Sequence, residues 1–317
     1  MNKHSSTRPG RRLPKAAARD FTCDLDLTPD ELVRLLDLTA RLKATPARYA
    51  QALRGRYISL LFEKPSLRTR VTFELAIKQL GGDSIFDAGR IGGREPLEDI
   101  ARNLDRWTQA IVARTFSQQT IEELARWAGV PVINALSDLY HPCQALADIF
   151  TLRERFRELR GLKLAFVGDG NNVAHSLMLT ATRLGVDFAL ATPARYGPNP
   201  EIVRQAEGLA AASGAGLKIT RRPEEAVAGA NAVYTDVWTS MGQENEAAER
   251  RRSFRRYQVN EKLMELARPD AVFMHCLPAK RGEEVTEAVI ESNRSVVFGQ
   301  AENRLHTQKA LLLTLLA

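Results

Sequence analysis

Cysteine is scarce in this sequence: only Cys23, Cys143 and Cys276 occur in 317 residues, and no two form a C-x-x-C pair. That spacing excludes a disulfide scaffold and a cysteine-based zinc site, and it is the usage expected in a reducing compartment. Long apolar runs are also missing, and none approaches the ~20 residues that a membrane-spanning helix needs. The opening MNKHSSTRPGRRLPKAAARD has no apolar stretch of the secretory kind, so residues 1–20 are expected to form a basic, disordered tail on a cytoplasmic protein. Internal repeats and low-complexity linkers are absent too. Negative charge is in short supply, with 38 acidic against 45 basic side chains and a formal net charge of +7. The excess suggests an anionic partner. Part of it lies in ERRRSFRRYQ (249–258), which reads as a solvated loop. With no aromatic-interleaved basic stripe and no recognition helix, neither a nucleic acid nor a membrane is the expected partner. Small phosphorylated or carboxylated ligands remain.

What is present suits a globular chain of two domains, with 44% hydrophobic and 26% charged residues. LTPDELVRLLDLTARLKA (27–44) starts at a threonine cap with acids in its first turn and carries apolar residues at helical spacing. The short apolar runs YISLLF, DSIFDA, AIVART and PVINAL alternate with helical stretches such as PLEDIARNLDRW. The second half repeats this pattern through LKLAFVGDG, VDFALATP, NAVYTDV and AVFMHCLP. Alternation of this kind predicts an α/β protein with two doubly wound, mostly parallel sheets joined by bridging helices. The expected domains are 21–145 and 146–302, with a helix over 303–317 packing back on the first. A helix over 141–161 would bridge the two sheets.

Ligands of open parallel sheets bind beyond the carboxyl ends of the strands, and five polar clusters fall at such ends. In FEKPSLRTR a strand turns into a helix whose first turn carries Ser66, Arg68, Thr69 and Arg70 where acids would better suit the dipole. This is either a serine cap followed by surface arginines or a phosphate cradle of free N–H groups, hydroxyls and guanidinium. In HPCQ, His141 and Gln144 lie three apart and can face the same way, offering a donor and an amide. In FMHCLPAKRG the strand ends at Cys276, which is either a buried small hydrophobe or a partly ionised thiolate. GDGNNVAHS begins like a dinucleotide fingerprint, but Val173 replaces the third glycine and the next strand lacks its terminal acid. Nicotinamide binding is therefore rejected, and Asn171 and Asn172 are read as amides for an α-carboxylate or α-amino group. DVWTSMGQE places Asp236 at a strand end before a Ser-Met-Gly loop.

The five clusters, in this order, resemble the aspartate/ornithine carbamoyltransferase family from about Asp20 onward. S-x-R-T-R and H-P-x-Q are shared across that family, whereas D-x-W-x-S-M-G and H-C-L-P-x-x-R-G mark its ornithine branch. The resemblance implies an enzyme of arginine biosynthesis, or its catabolic counterpart, that moves the carbamoyl group of carbamoyl phosphate to the δ-amine of L-ornithine. Citrulline and phosphate would be the products. It further implies that Ser66, Leu67, Arg68 and Thr69 hold the phosphate and that Arg114 holds both phosphate and carbonyl oxygen. His141, Gln144, Arg304 and the Cys276–Leu277 backbone would surround the carbamoyl group. Asn172, Ser240 and Met241 would read the α-amino acid end, and Asp236 with Cys276 would face the δ-amine. No metal or cofactor is implied, and a homotrimer or an assembly of trimers is. Two positions depart from the pattern: Leu67 stands where many relatives have threonine, its backbone N–H still serving the phosphate, and Arg90 where many have glutamine or histidine reaching into a neighbouring site, where it would still contact carbamoyl phosphate. The competing readings are transfer to a related amine, such as putrescine or an acylated ornithine, and a silent relative that only binds carbamoyl phosphate.

Overall fold

The computed structural model describes residues 20–239 and 244–316. The first half runs α1 (Pro29–Ala44), β1 (Tyr57–Phe62), α2 (Leu67–Gln79), β2 (Asp83–Ala88), α3 (Leu97–Trp107), β3 (Ala110–Arg114), α4 (Gln118–Trp127) and β4 (Val132–Leu136). A long helix, α5 (Pro142–Phe156), leads to β5 (Lys163–Val167), α6 (Asn172–Arg183), β6 (Asp187–Ala191), α7 (Pro200–Ser213), β7 (Leu217–Thr220), α8 (Pro223–Val227) and β8 (Ala232–Thr235). The chain finishes with α9 (Ala247–Phe254), α10 (Glu261–Glu265), β9 (Val272–His275), α11 (Glu287–Ile290) and α12 (Val297–Leu316). Every strand pairing is parallel, in two sheets ordered β2-β1-β3-β4 and β7-β6-β5-β8-β9. Both sheets are doubly wound, as the alternation of runs predicts. Among the described residues no helix is long and apolar enough to cross a membrane.

Local chemistry explains the boundaries. Thr28 closes a capping box at the start of α1, with its N–H on Glu31 Oε2 at 2.8 Å and the Glu31 N–H on Thr28 Oγ1 at 3.3 Å. The apolar runs of β1 and β3 are buried on both faces, as strands covered by helices on each side must be. Helix α5 starts with Pro142 at its first position, where the missing N–H costs nothing, and every residue from Pro142 to Leu152 is buried. Its Cys143 and Leu146 pack into the core of the first sheet, and its Ala145, Ile149 and Phe150 into that of the second. Helix α12 contributes Ala310, Leu311 and Leu312 to the first core.

Two features differ from the sequence reading. ERRRSFRRYQ is not a solvated loop. Most of it is α9 and the 3-10 turn Arg255–Tyr257, with Arg250, Phe254 and Tyr257 buried and the Phe254 ring 5.9 Å from that of Tyr257. The run of arginines hides two aromatic anchors at near-helical spacing. The edge strand β7 escapes notice because four half-exposed residues give neither a continuous apolar run nor a clean alternation.

Candidate functional site

In each sheet the strand order reverses between two neighbours, β1 and β3 in the first and β5 and β8 in the second. The carboxyl ends of these strands open onto one cleft of about 610 Å³ between the domains. The first sheet contributes Lys64 to Thr69 after β1 and Arg114 at the end of β3, followed by Leu136, His141 and Gln144. The second contributes Asn172, Asp236, Val237, Thr239 and the turn Cys276–Pro278, and α12 adds Arg304. All five sequence clusters thus meet here. One expected residue does not, since Arg90 lines a separate pocket of about 290 Å³ with Asp87, Arg94 and Trp107, and two more, Ser240 and Met241, lie outside the described residues.

The wall built by α2 is cationic and short of anions. Ser66 is the N-cap of α2, but its hydroxyl makes no capping bond, and the Arg70 N–H on Ser66 O at 3.4 Å is the first bond of the helix. The N–H groups of Leu67, Arg68 and Thr69 therefore start the helix as free donors, a ready anion site. Leu67 is 76% exposed, so its side chain adds nothing to that cradle. Arg114, 6% exposed, has its guanidinium pushed down from 12.5 to about 10 by burial and then by Arg304 and Arg68. Burial likewise lowers Arg304. Arg304 donates to Gln144 Oε1 at 2.5 Å and to Thr69 Oγ1 at 3.0 Å. The Thr69 hydroxyl, accepting from Arg304, keeps its proton for another acceptor. Because arginine can only donate, Arg304 also fixes the Gln144 amide with its oxygen on this side and one lone pair to spare. Among the described residues no carboxylate pairs with Arg68, Arg114 or Arg304. Neighbouring His141 is held well below the usual imidazole range, by burial first and then by Arg304 and Arg114, and is neutral. Its Nδ1 has no partner among the described residues.

The opposite wall carries the acid. Thr235 and His275 pair at the ends of β8 and β9, so the next residues, Asp236 and Cys276, emerge side by side. The Cys276 thiol donates to Asp236 Oδ1 at 3.1 Å, and the Asn171 amide donates to Asp236 Oδ2 at 2.8 Å. Burial and the adjacent Asp236 push the thiol well above its ordinary value, which overturns the partly ionised thiolate. Asn171 also caps α6 through its oxygen, on the Val173 and Ala174 N–H groups. Asn172 donates to Ser137 O at 2.7 Å, across to the loop that precedes His141. The tight turn before them needs Gly170, where a Cβ would sit 2.3 Å from Pro198 N. That glycine serves packing, which accounts for a fingerprint-like start without its remaining parts. The donor atoms of Asp236, His275 and Cys276 lie within 4.8 Å of one another, as a metal would require. Both ring nitrogens of His275 are already engaged and the thiol is held protonated, so this set does not fit a resident ion.

Sequence reasoning missed Lys64, Asp148, Arg251 and Lys280. Lys64 stands over the Phe116 ring at 4.5 Å, and burial followed by Arg114 lowers its ammonium. Its place between a strand end and S-x-R-T-R was the available signal. Asp148 had none, since nothing in LADIF marks it. It is fully buried, and its Oδ1 accepts from Gln144 Nε2 at 2.8 Å and from Gln300 Nε2 at 2.6 Å. Burial raises its carboxyl from 3.8 to about 7 despite these bonds. The folded protein therefore holds a proton that the unfolded chain releases between those values, and stability falls as pH rises through this window. The unfolding free energy of Asp148→Asn, relative to the parent, is expected to rise by about 4 kcal/mol from pH 4 to pH 7 and then level off. Denaturant titrations of both proteins across that range would check it, and a pH-independent difference would count against it.

The chain matches two family models: "Aspartate/ornithine carbamoyltransferase, carbamoyl-P binding domain" over residues 19–154, and "Aspartate/ornithine carbamoyltransferase, Asp/Orn binding domain" over 160–315. It is 52% identical to the ornithine carbamoyltransferase of Acidothermus cellulolyticus over 94% of this chain and 96% of that one. It is also 52% identical to that of Thermus thermophilus, over 91% and 93%. The solved ornithine carbamoyltransferase of Pyrococcus furiosus superposes with a TM-score of 0.91 at 47% identity, covering 95% of this chain and 97% of that one.

Proposed function

This chain belongs to the aspartate/ornithine carbamoyltransferase family, and from that premise we infer how its cleft works. The reaction is transfer of the carbamoyl group of carbamoyl phosphate to the δ-amine of L-ornithine, giving L-citrulline and phosphate. One observation carries the reading most directly: among the described residues, three guanidiniums without a carboxylate partner face a single carboxylate across one cleft. The cationic wall takes a dianion, and the lone acid takes an amine.

Bound at the start of α2, the phosphate would receive the N–H groups of Leu67, Arg68 and Thr69, the Ser66 and Thr69 hydroxyls, and Arg68. Arg114 would span phosphate and carbonyl oxygen, with His141 donating to the same oxygen as a neutral imidazole. The free lone pair of Gln144 Oε1 and the Cys276–Leu277 backbone would accept the carbamoyl NH₂. Asn172, Ser240 and Met241 are assigned to the α-amino acid end of ornithine, and Asp236 to its δ-amine. The neutral amine attacks the carbonyl carbon, a tetrahedral oxyanion forms beside Arg68, Arg114 and His141, and the bond from that carbon to the bridging oxygen breaks, so the oxygen leaves with the phosphate. The proton lost by the amine leaves on phosphate. Alignment and preorganised positive charge supply the rate. A free alkyl ammonium titrates near 10.4, so these cations also favour the neutral amine that must attack.

In this scheme residues 21–145 with 303–317 form the carbamoyl phosphate domain, and 146–302 the ornithine domain. The assembly would be a homotrimer or a group of trimers in the cytoplasm, with Arg90 on the face turned toward a neighbour. A steady-state citrulline assay with carbamoyl phosphate tests the function, with ornithine expected to be preferred by orders of magnitude over putrescine and N-acetylornithine. Preference for either analogue would overturn the assignment, as would binding of carbamoyl phosphate without turnover.

A further inference from the structure

The turn after β9 is fastened by two buried groups that do not line the cleft. His275, 1% exposed, is fixed at three points. Its backbone N–H donates to Gln300 Oε1 at 3.0 Å, its Nε2 lies 3.2 Å from Glu284 Oε1, and its Nδ1 accepts the Leu277 N–H at 2.8 Å. Glu284, fully buried, accepts the Lys280 N–H through the same Oε1 at 2.5 Å. One acid thus closes both ends of the loop that carries Cys276, Leu277, Pro278 and Lys280 along the cleft.

Leu277 has φ +57°, a left-handed conformation that costs a non-glycine residue roughly 1–2 kcal/mol. Such a residue persists only where its surroundings over-determine it. The Leu277 N–H bond requires an unprotonated Nδ1, so the ring proton sits on Nε2, facing Glu284. Glu284 thereby selects the tautomer that Leu277 needs.

We propose that the Glu284–His275 pair is a positioning device for carbamoyl transfer, holding Leu277 in its left-handed conformation so that the Cys276–Leu277 backbone meets the carbamoyl NH₂. The role rests on the reading of the cleft given above. Phosphate is held on the opposite wall, so the pair acts on the carbamoyl end alone.

Three substitutions separate the device from general damage. His275→Asn places an amide oxygen where Nδ1 sits and keeps the Leu277 bond. His275→Gln places an amide nitrogen near Nε2 and loses that bond. Glu284→Leu leaves the tautomer unselected. Misplacement of about 1 Å costs up to about 10²-fold in rate. The expected result is a kcat loss of about 10–10² for His275→Gln and Glu284→Leu, with most of it restored in His275→Asn. Inhibition by inorganic phosphate should keep an unchanged Ki throughout, which shows that the α2 wall is intact. Near-parental kcat in all three variants would overturn the proposal. So would a His275→Asn protein no better than His275→Gln, or a phosphate Ki that rises in step with the kcat loss. A parent protein that makes no citrulline would instead remove the reading of the cleft, and this role with it.

Discussion

An Arg114→Met protein is expected to lose at least about 10³-fold in kcat/KM for carbamoyl phosphate while melting no lower than its parent. The kinetic loss follows from the place of Arg114 at the end of β3, level with Phe62 and beside the start of α2. From there it would, in the proposed scheme, donate to the carbonyl oxygen and pair with the phosphate. One lost oxyanion donor typically costs on the order of 10²–10³, and the lost phosphate contact adds to this. The stability effect has the unusual sign. A guanidinium lowered from 12.5 to about 10 is destabilised in its charged form by about 3 kcal/mol in the ligand-free fold. Methionine occupies similar length without charge and relieves repulsion with Arg304 and Arg68. Thermal melts with and without phosphate would check this: the parent should gain more from phosphate than the variant. A variant with turnover within tenfold of the parent, or one that fails to fold, would refute the assignment.

The second large effect falls on the other wall. Asp236→Asn should reduce kcat/KM for ornithine by at least about 10², as loss of the group that positions the attacking amine does, while the Ki of inorganic phosphate stays unchanged. An asparagine here can keep its oxygen toward the Cys276 thiol and the Val237 N–H, which Asp236 Oδ1 now serves. Its NH₂ then meets the NH₂ of Asn171. Asn171 cannot flip without uncapping α6, so a structural cost of about 1 kcal/mol accompanies the chemical one. That cost is far below the kinetic effect. If phosphate inhibition weakened in parallel with ornithine turnover, Asp236 would be acting on the whole cleft rather than on the amine.

The parallel sheets were legible chiefly through the strands that are covered on both faces and read as continuous apolar runs, YISLLF and AIVAR being the clearest. The half-exposed β7 lacked that signature, and the arginines of α9 masked Phe254 and Tyr257. The cleft was legible wherever side chains of unusual type follow a strand, as with Arg68, His141 and Asp236. Residues that act through others were not. Asp148 and Glu284 look like any acid in a helix or loop, and only the folded chain buries them beneath Gln144 and against His275. Neither the low pKa of His141 nor the protonated state of Cys276 can be read from neighbours in sequence, because burial dominates both.

Thr69 and Arg304 touch across 235 residues of chain. During synthesis the α2 turn, His141 and Asp236 all leave the ribosome before the guanidinium that joins Gln144 to Thr69 exists. A nascent chain halted before α12 would hold most of a substrate site and the apolar faces of α1, α2 and α5 uncovered, with nothing to seal either. Closure of the first core and completion of the cleft therefore both wait on α12, so a chain that exposes the apolar faces of α1, α2 and α5 is also one whose cleft is unfinished.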